Sequence, residues 1–225
     1  MSSVNRNLLE MRVIPNIRRD YIHNIEGKFR IIESVQEELK NPRKIVREIK
    51  EPYELIQILQ KIDSKELDKL PIFTKTRELF RSTFYFNMNL VYYVSVWEAF
   101  NDDIFEKLSN EYTTIIYNRE GLDLLNNIEK ALPRLLSIKE FPEYLILKEF
   151  FYRRNSILHN DGKADNKYKK ETVDLIKYLE IKPKINSTIG EFQTNYLDIE
   201  YLFSTLKSYI IEVSSKSIDY IRNNK

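Results

Sequence analysis

From Thr74 to Tyr117 the chain runs without a single Gly or Pro, and Leu90, Val94, Trp97, Ile104 and Leu108 recur there at helical spacing. At about 100° per residue these five side chains share one stripe of a helix. A stripe of that length has to be covered by neighbouring elements, so this helix sets the centre of the fold. The rest of the chain favours helical neighbours. Four Gly and seven Pro among 225 residues leave long runs rich in Leu, Ile, Glu and Lys, which enter a helix at little cost. The sequence therefore predicts an all-α protein, an antiparallel helical bundle with a core that a chain of this length can build.

The flanking segments follow from their punctuation. Residues 5 to 40 are helix-compatible, with Ile25, Phe29, Ile32 and Val35 at helical spacing and with breaks expected at Pro15 and Gly27. Asn41-Pro42 marks a boundary, because the residue before a proline is pushed out of the helical region. Short helices are expected around 43–50 and 52–62, with one more turn between Ser64 and Pro71. After the central helix comes a turn at Asn118 to Gly121, then short helices near 121–131 and 133–139, divided by Pro133. Pro142 suits a first helical turn and opens a helix to about Leu158, which Asn160, Asp161 and Gly162 end. A polar stretch to Val173, a short helix to Leu179 and an irregular or short extended passage through Pro183 and Gly190 lead to a last helix over about 199–222. Asp198 reads as its N-cap, and Leu202, Leu206, Tyr209, Ile210 and Val213 close the bundle.

Composition excludes several classes of function. With no cysteine and two histidines the chain has neither a disulfide framework nor a thiolate or His-rich metal centre, so no metal and no cofactor is expected. No glycine-rich phosphate loop is present, which argues against ATP or GTP hydrolysis. The first twenty residues lack the apolar block of a secretory signal, and Phe84 to Phe100 is interrupted by Asn87, Asn89, Ser95 and Glu98. A cytoplasmic protein without a membrane span is the expectation. Lys and Arg total 36 against 34 acids, a net charge of +2, so any polyanion has to be held by a local cluster rather than by the field of the whole chain.

One such cluster lies on the helix that Pro142 opens. Leu147, Phe151, Arg154 and Leu158 fall within one narrow stripe, so Arg154 interrupts an apolar face and needs a partner or a solvated cleft. Tyr152, Asn155, Ser156 and His159 lie on the flank of that stripe, with Asn155 and His159 nearly superposed four residues apart. Imidazole is the side chain that both gives and takes protons near neutrality. Guanidinium stays charged and grips phosphate with two donors at once. These are the two groups that RNA cleavage requires when the ribose 2′-OH is the nucleophile: the first moves protons, the second stabilises the phosphorane-like transition state.

The string RRNSILHNDGKADNKY, from Arg153 to Tyr168, resembles the signature of the HEPN superfamily (higher eukaryotes and prokaryotes nucleotide-binding domains). In that signature Arg, four to six residues and His end a helix, with a polar residue straight after the Arg. Arg154, Asn155 and His159 occupy those positions, with four residues between Arg and His. The later Lys167-Tyr168 is similar to what many bacterial members carry. Trp97-Glu98-Ala99-Phe100 is similar to the preceding core helix of the family, and Gly190 with the closing helix to its C-terminal part. The resemblance places residues 75–225 in a HEPN-type helical domain and leaves 1–74 as an N-terminal helical extension. It implies a homodimer in which two motif helices form one cleft, and metal-independent endoribonuclease activity leaving a 2′,3′-cyclic phosphate and a 5′-hydroxyl. It implies His159 as the proton-transfer residue, Arg154 as the transition-state clamp and Asn155 as the group that orients either. A toxin or antiphage-defence role is what such membership suggests, with an antitoxin or regulatory protein as a further partner.

Other side chains are candidates around that centre. Arg153, five residues before His159 by the same counting, falls off the apolar stripe and reads as a solvated or phosphate-contacting group. Tyr152 could stack on a base, and Lys163 heads a basic run with Lys167, Lys169 and Lys170 that could track a phosphate backbone. Glu98 and Asp102, four apart on the central helix, could pair with Arg154 or orient His159. His23 is read as an ordinary surface residue. Three functions compete: a ribonuclease, a HEPN-type scaffold that binds a nucleotide, RNA or a protein without cutting, and a structural domain in which Arg154 pairs with Glu98 or Asp102.

Overall fold

The structure, a computed structural model, describes residues 3–40, 83–118, 124–160 and 162–224. The helices expected at 43–50, 52–62 and 64–70, the 74/75 boundary, the Asn41-Pro42 break, Asp161 and the end of the turn at Gly121 lie outside the described residues. Seven α-helices are described: α1 (Ser3–Leu8), α2 (Ile14–Lys40), α3 (Thr83–Glu111), α4 (Leu124–Ala131), α5 (Pro142–His159), α6 (Asn166–Thr172) and α7 (Tyr196–Asn223). Extended pairing among the described residues is limited to isolated antiparallel bridges, Lys163 with Glu191 and Ile185 with Phe192. The all-α class is what the sequence predicts.

α3 is the central element, packed against α2, α5 and α7, while α7 also packs along α2 and α5. The five stripe residues Leu90, Val94, Trp97, Ile104 and Leu108 are all fully buried. Trp97 gathers an aromatic cluster, its ring centroid 6.0 Å from Tyr209, 6.3 Å from Tyr144 and 6.3 Å from Phe151, which joins α3, α5 and α7. Asn101, also buried, turns its amide nitrogen to the Trp97 carbonyl at 2.7 Å and accepts the Tyr209 hydroxyl at 2.6 Å. A polar group in the core is thus fully engaged.

The N-terminal helices form a layer of this same core rather than an appendage to it. Leu9, Ile14, Ile25 and Ile32 belong to one apolar cluster with Trp97, Leu147 and Leu206, and Phe29 stacks on Phe203 of α7 at 4.1 Å. Gly27 does not break α2. A helical Gly costs about 1 kcal/mol relative to Ala, whereas burying each of Ile25, Phe29 and Ile32 stabilises by roughly 1.5–3 kcal/mol, so packing wins. Pro15 sits in the first turn of α2, and the turn before it, Leu9–Val13, is π-helical. The wider turn accommodates a residue that offers no N–H to the preceding carbonyls.

Two C-terminal boundaries shift. The short helix expected to reach Leu179 comes earlier, as α6, followed by a 3₁₀ turn at Ile176–Tyr178. α7 starts at Tyr196, because Asn195 and not Asp198 is the N-cap: the Asn195 side chain accepts the Leu197 N–H at 2.8 Å, and Asp198 accepts the Asn195 N–H at 3.0 Å, a capping box.

Candidate functional site

α5 emerges from the core toward its C-terminus, and its two faces carry different chemistry. Tyr144, Ile146 and Leu147 are buried in its first half, and Glu149, Phe150, Arg153 and Ser156 form the buried face beyond them. At 100° per residue that face lies well over a quarter turn from the stripe of Leu147, Phe151, Arg154 and Leu158. Leu147 is buried, Phe151 and Arg154 are partly buried, and Leu158 is 47 % exposed. Polar residues, not the apolar stripe, mark the interior side of the second half of this helix.

Arg153 corrects the sequence reading most sharply. It is neither solvated nor placed to contact phosphate: it is 1 % exposed, with its Nε and Nη2 on the Glu149 carboxylate at 3.1 and 2.9 Å and its Nη1 on Asp198 at 3.0 Å. Its guanidinium stacks on the Phe150 ring at 4.4 Å. Tyr168 of α6 donates its hydroxyl to Glu149 at 2.5 Å. Burial pushes the Tyr168 phenol well up from its ordinary range, so it stays a donor. Glu149 and Asp198 are missed as members of this cluster by the sequence reading. The i,i+4 spacing of Glu149 and Arg153 and the Asn195/Asp198 capping spacing are the signals that could have found them.

Arg154 lies on the flank between α5 and α3. Its Nη2 donates to Glu98, its guanidinium covers the Phe151 ring at 5.0 Å, and its Nε has no hydrogen-bond partner among the described residues. Burial pushes the Glu98 carboxyl up from the ordinary carboxylate range, and this outweighs the pull of Arg154 downward. Of the two acids proposed as orienting groups, Glu98 is the one beside the motif. Asp102 instead accepts the Tyr117 hydroxyl.

Asn155 and His159 point away from the core: Asn155 is partly exposed and His159 exposed, and neither side chain takes part in a hydrogen bond among the described residues. His159 is the last residue of α5. The chain then turns through Gly162, whose φ of +77° is a conformation that favours glycine. Gly162 accepts the Phe192 N–H at 2.9 Å, and Gly190, with φ of +75°, accepts the Ala164 N–H at 2.9 Å. This lashes the turn after the motif to the loop before α7. Lys163, Lys167, Lys169 and Lys170 are all exposed along this turn and α6. Tyr152 is partly buried beside α6, its hydroxyl 3.4 Å from Glu171.

Among the sequence candidates, the structure thus brings Arg154 and Glu98 together, sets Asn155 and His159 on an open face, and removes Arg153 to the interior. Among the described residues no helix is long and apolar enough to cross a membrane. Compared with protein families, with curated proteins and with solved structures, the chain matches none.

Proposed function

We propose that this chain is a metal-independent endoribonuclease of the HEPN type, acting in the cytoplasm as a toxin or antiphage-defence effector. The observation that carries the reading is the open end of α5, where Asn155 and His159 face solvent one and five residues after Arg154, next to exposed Lys163. A substrate phosphate reaching this edge meets an imidazole, an amide and a cation on one short segment. In the proposed step a neutral imidazole takes the proton of the ribose 2′-OH as its oxygen attacks the adjacent phosphorus. The P–O5′ bond breaks, an imidazolium protonates the departing O5′, and a 2′,3′-cyclic phosphate and a 5′-hydroxyl result. Arg154 stabilises the charge that builds on the phosphoryl oxygens.

Taking and giving protons at once calls for two imidazoles, and each chain has one His159. A homodimer through the outer face of α5 supplies the second. The half-exposed Leu158, with Phe151 and Tyr152 partly exposed nearby, gives that face the apolar area a second copy would cover. One observation favours a second reading, a scaffold that binds RNA, a nucleotide or a protein partner without cutting: Arg154 is engaged by Glu98 and would have to leave it to hold a phosphate.

Incubation of the purified chain with total RNA in EDTA, with mapping of the new ends, tests the proposal. Cleavage leaving cyclic phosphates, in protein that sediments as a dimer, is the expected result. A folded dimer that leaves RNA intact would favour the scaffold, and a monomer at tens of micromolar would remove the shared cleft.

A further inference from the structure

His159 has a problem of position. It ends a helix, where the last turn frays, and among the described residues its own side chain makes no hydrogen bond that would hold it. What fixes it must act through the backbone on either side. The residue after it is held at three points: the Asn160 N–H reaches the Ser156 carbonyl at 3.0 Å, its carbonyl accepts the Lys163 N–H at 2.9 Å, and its amide nitrogen donates to Asp165 at 2.7 Å. Asp165 uses its other oxygen to cap α6, accepting the Tyr168 N–H at 2.6 Å. Tyr168, 2 % exposed, crosses back and donates its hydroxyl at 2.5 Å to Glu149, nearly three turns before the motif ends.

These contacts close a circuit: along α5 from Glu149 to Asn160, across to Asp165, along α6 to Tyr168 and back to Glu149. Arg153 and Asp198 extend it to the first turn of α7. We infer that this circuit is a clasp whose function is to hold the end of α5, and that Tyr168 is a positioning residue for His159, acting on the imidazole without touching substrate. The inference rests on the ribonuclease reading only for its effect on turnover. Both carboxylates around Arg153 are engaged, Glu149 by Arg153 and Tyr168 and Asp198 by Arg153 and the Asn195 N–H. Asp165 is likewise engaged on both oxygens, by Asn160 and by the α6 N-terminus.

Tyr168→Phe keeps the ring, packed edge-on against Phe192 at 4.8 Å, and deletes only the donor to Glu149. Asn160→Ala opens the same circuit at its other end, where the side chain is half-buried and outside the apolar core. The readout is the imidazole proton spectrum of the full chain without RNA, with the His159 signal assigned by its loss in His159→Ala, alongside cleavage kinetics. Both variants are expected to shift or broaden the His159 signal while leaving that of His23 in place, and to lower kcat about tenfold with KM unchanged. An unchanged His159 signal in Asn160→Ala and in Tyr168→Phe would overturn the inference, even if the melting temperature of either fell. If the signal moves but no form of the chain cuts RNA, the clasp stands and the ribonuclease reading falls.

Discussion

The inner and outer faces of α5 carry almost the same kinds of side chain and treat them in opposite ways. On the inner face Glu149 and Arg153 are fully buried and bond one another through two hydrogen bonds, with Asp198 and Tyr168 as further partners. On the outer face Asn155 and His159 stand open, and Arg154 holds Glu98 while its Nε has no partner among the described residues. The adjacent arginines 153 and 154 show the difference most directly, since one residue of helical rotation separates a structural cation from a candidate catalytic one. A buried charge is tolerable only when every lone pair and proton around it is matched. A group that is to meet a substrate has to retain unmatched capacity.

Breaking the inner face should have the largest effect. Arg153→Ala leaves two carboxylates buried without their cation and is expected to cost about 3–5 kcal/mol, read from urea unfolding. A loss below about 1 kcal/mol would mean that the cluster is not dry. Arg154→Ala, one residue on, should leave the melting temperature near that of the native chain and lower the RNA cleavage rate by roughly 10²–10³, as the loss of one transition-state donor does. If it unfolds the chain, pairing it with Glu98→Gln separates a structural from a catalytic role, because the double variant then refolds only if the stranded carboxylate was the cause.

Smaller effects sharpen the boundary between the faces. Gly162→Ala forces an L side chain into a left-handed turn and should cost about 1–2 kcal/mol, measured by thermal melting. Glu98 gives a trend with pH. Its carboxyl is raised in the folded chain, so the folded state binds more protons than the unfolded one between the two titrations, and native stability falls as pH rises through that range. Gln does not titrate. The melting temperature of Glu98→Gln relative to native should therefore rise with pH from below about 4 upward, and the opposite trend would show that the attraction of Arg154 outweighs burial.

The elements were legible where apolar side chains alone decide them. The stripe of α3, the span of α5 and the closing helix could all be read, because Trp97, Leu147, Leu202 and Leu206 have no alternative to burial. The phase of the second half of α5 was not legible: Leu147 and Phe151 pack on the core, but Leu158 of the same stripe is exposed and a buried ion pair occupies the interior face. Hydropathy assigns Glu149 and Arg153 to solvent, and only a tertiary partner, Asp198 from a helix 45 residues away in sequence, reverses that. Gly27 misled for a related reason, since a local preference of about 1 kcal/mol yields to a packed stripe, whereas Pro15 is accommodated by its place in the first turn of α2. At the candidate site, spacing grouped Asn155 and His159 with Ser156 on one flank, but that Ser156 turns inward and that Glu98 rather than Asp102 partners Arg154 depended on how α5 packs on its neighbours.

The division of α5 into a structural face and a reactive one is tested most directly by the RNA cleavage rate of His159→Ala, measured on protein whose melting temperature is compared with native. An exposed side chain without hydrogen bonds can be removed at little cost in stability, so melting should stay within the range of surface substitutions, about 0.5 kcal/mol. The cleavage rate should fall by roughly 10²–10⁴, as for the loss of a general acid or base. Full cleavage by a folded His159→Ala variant would contradict the assignment of the outer face to chemistry.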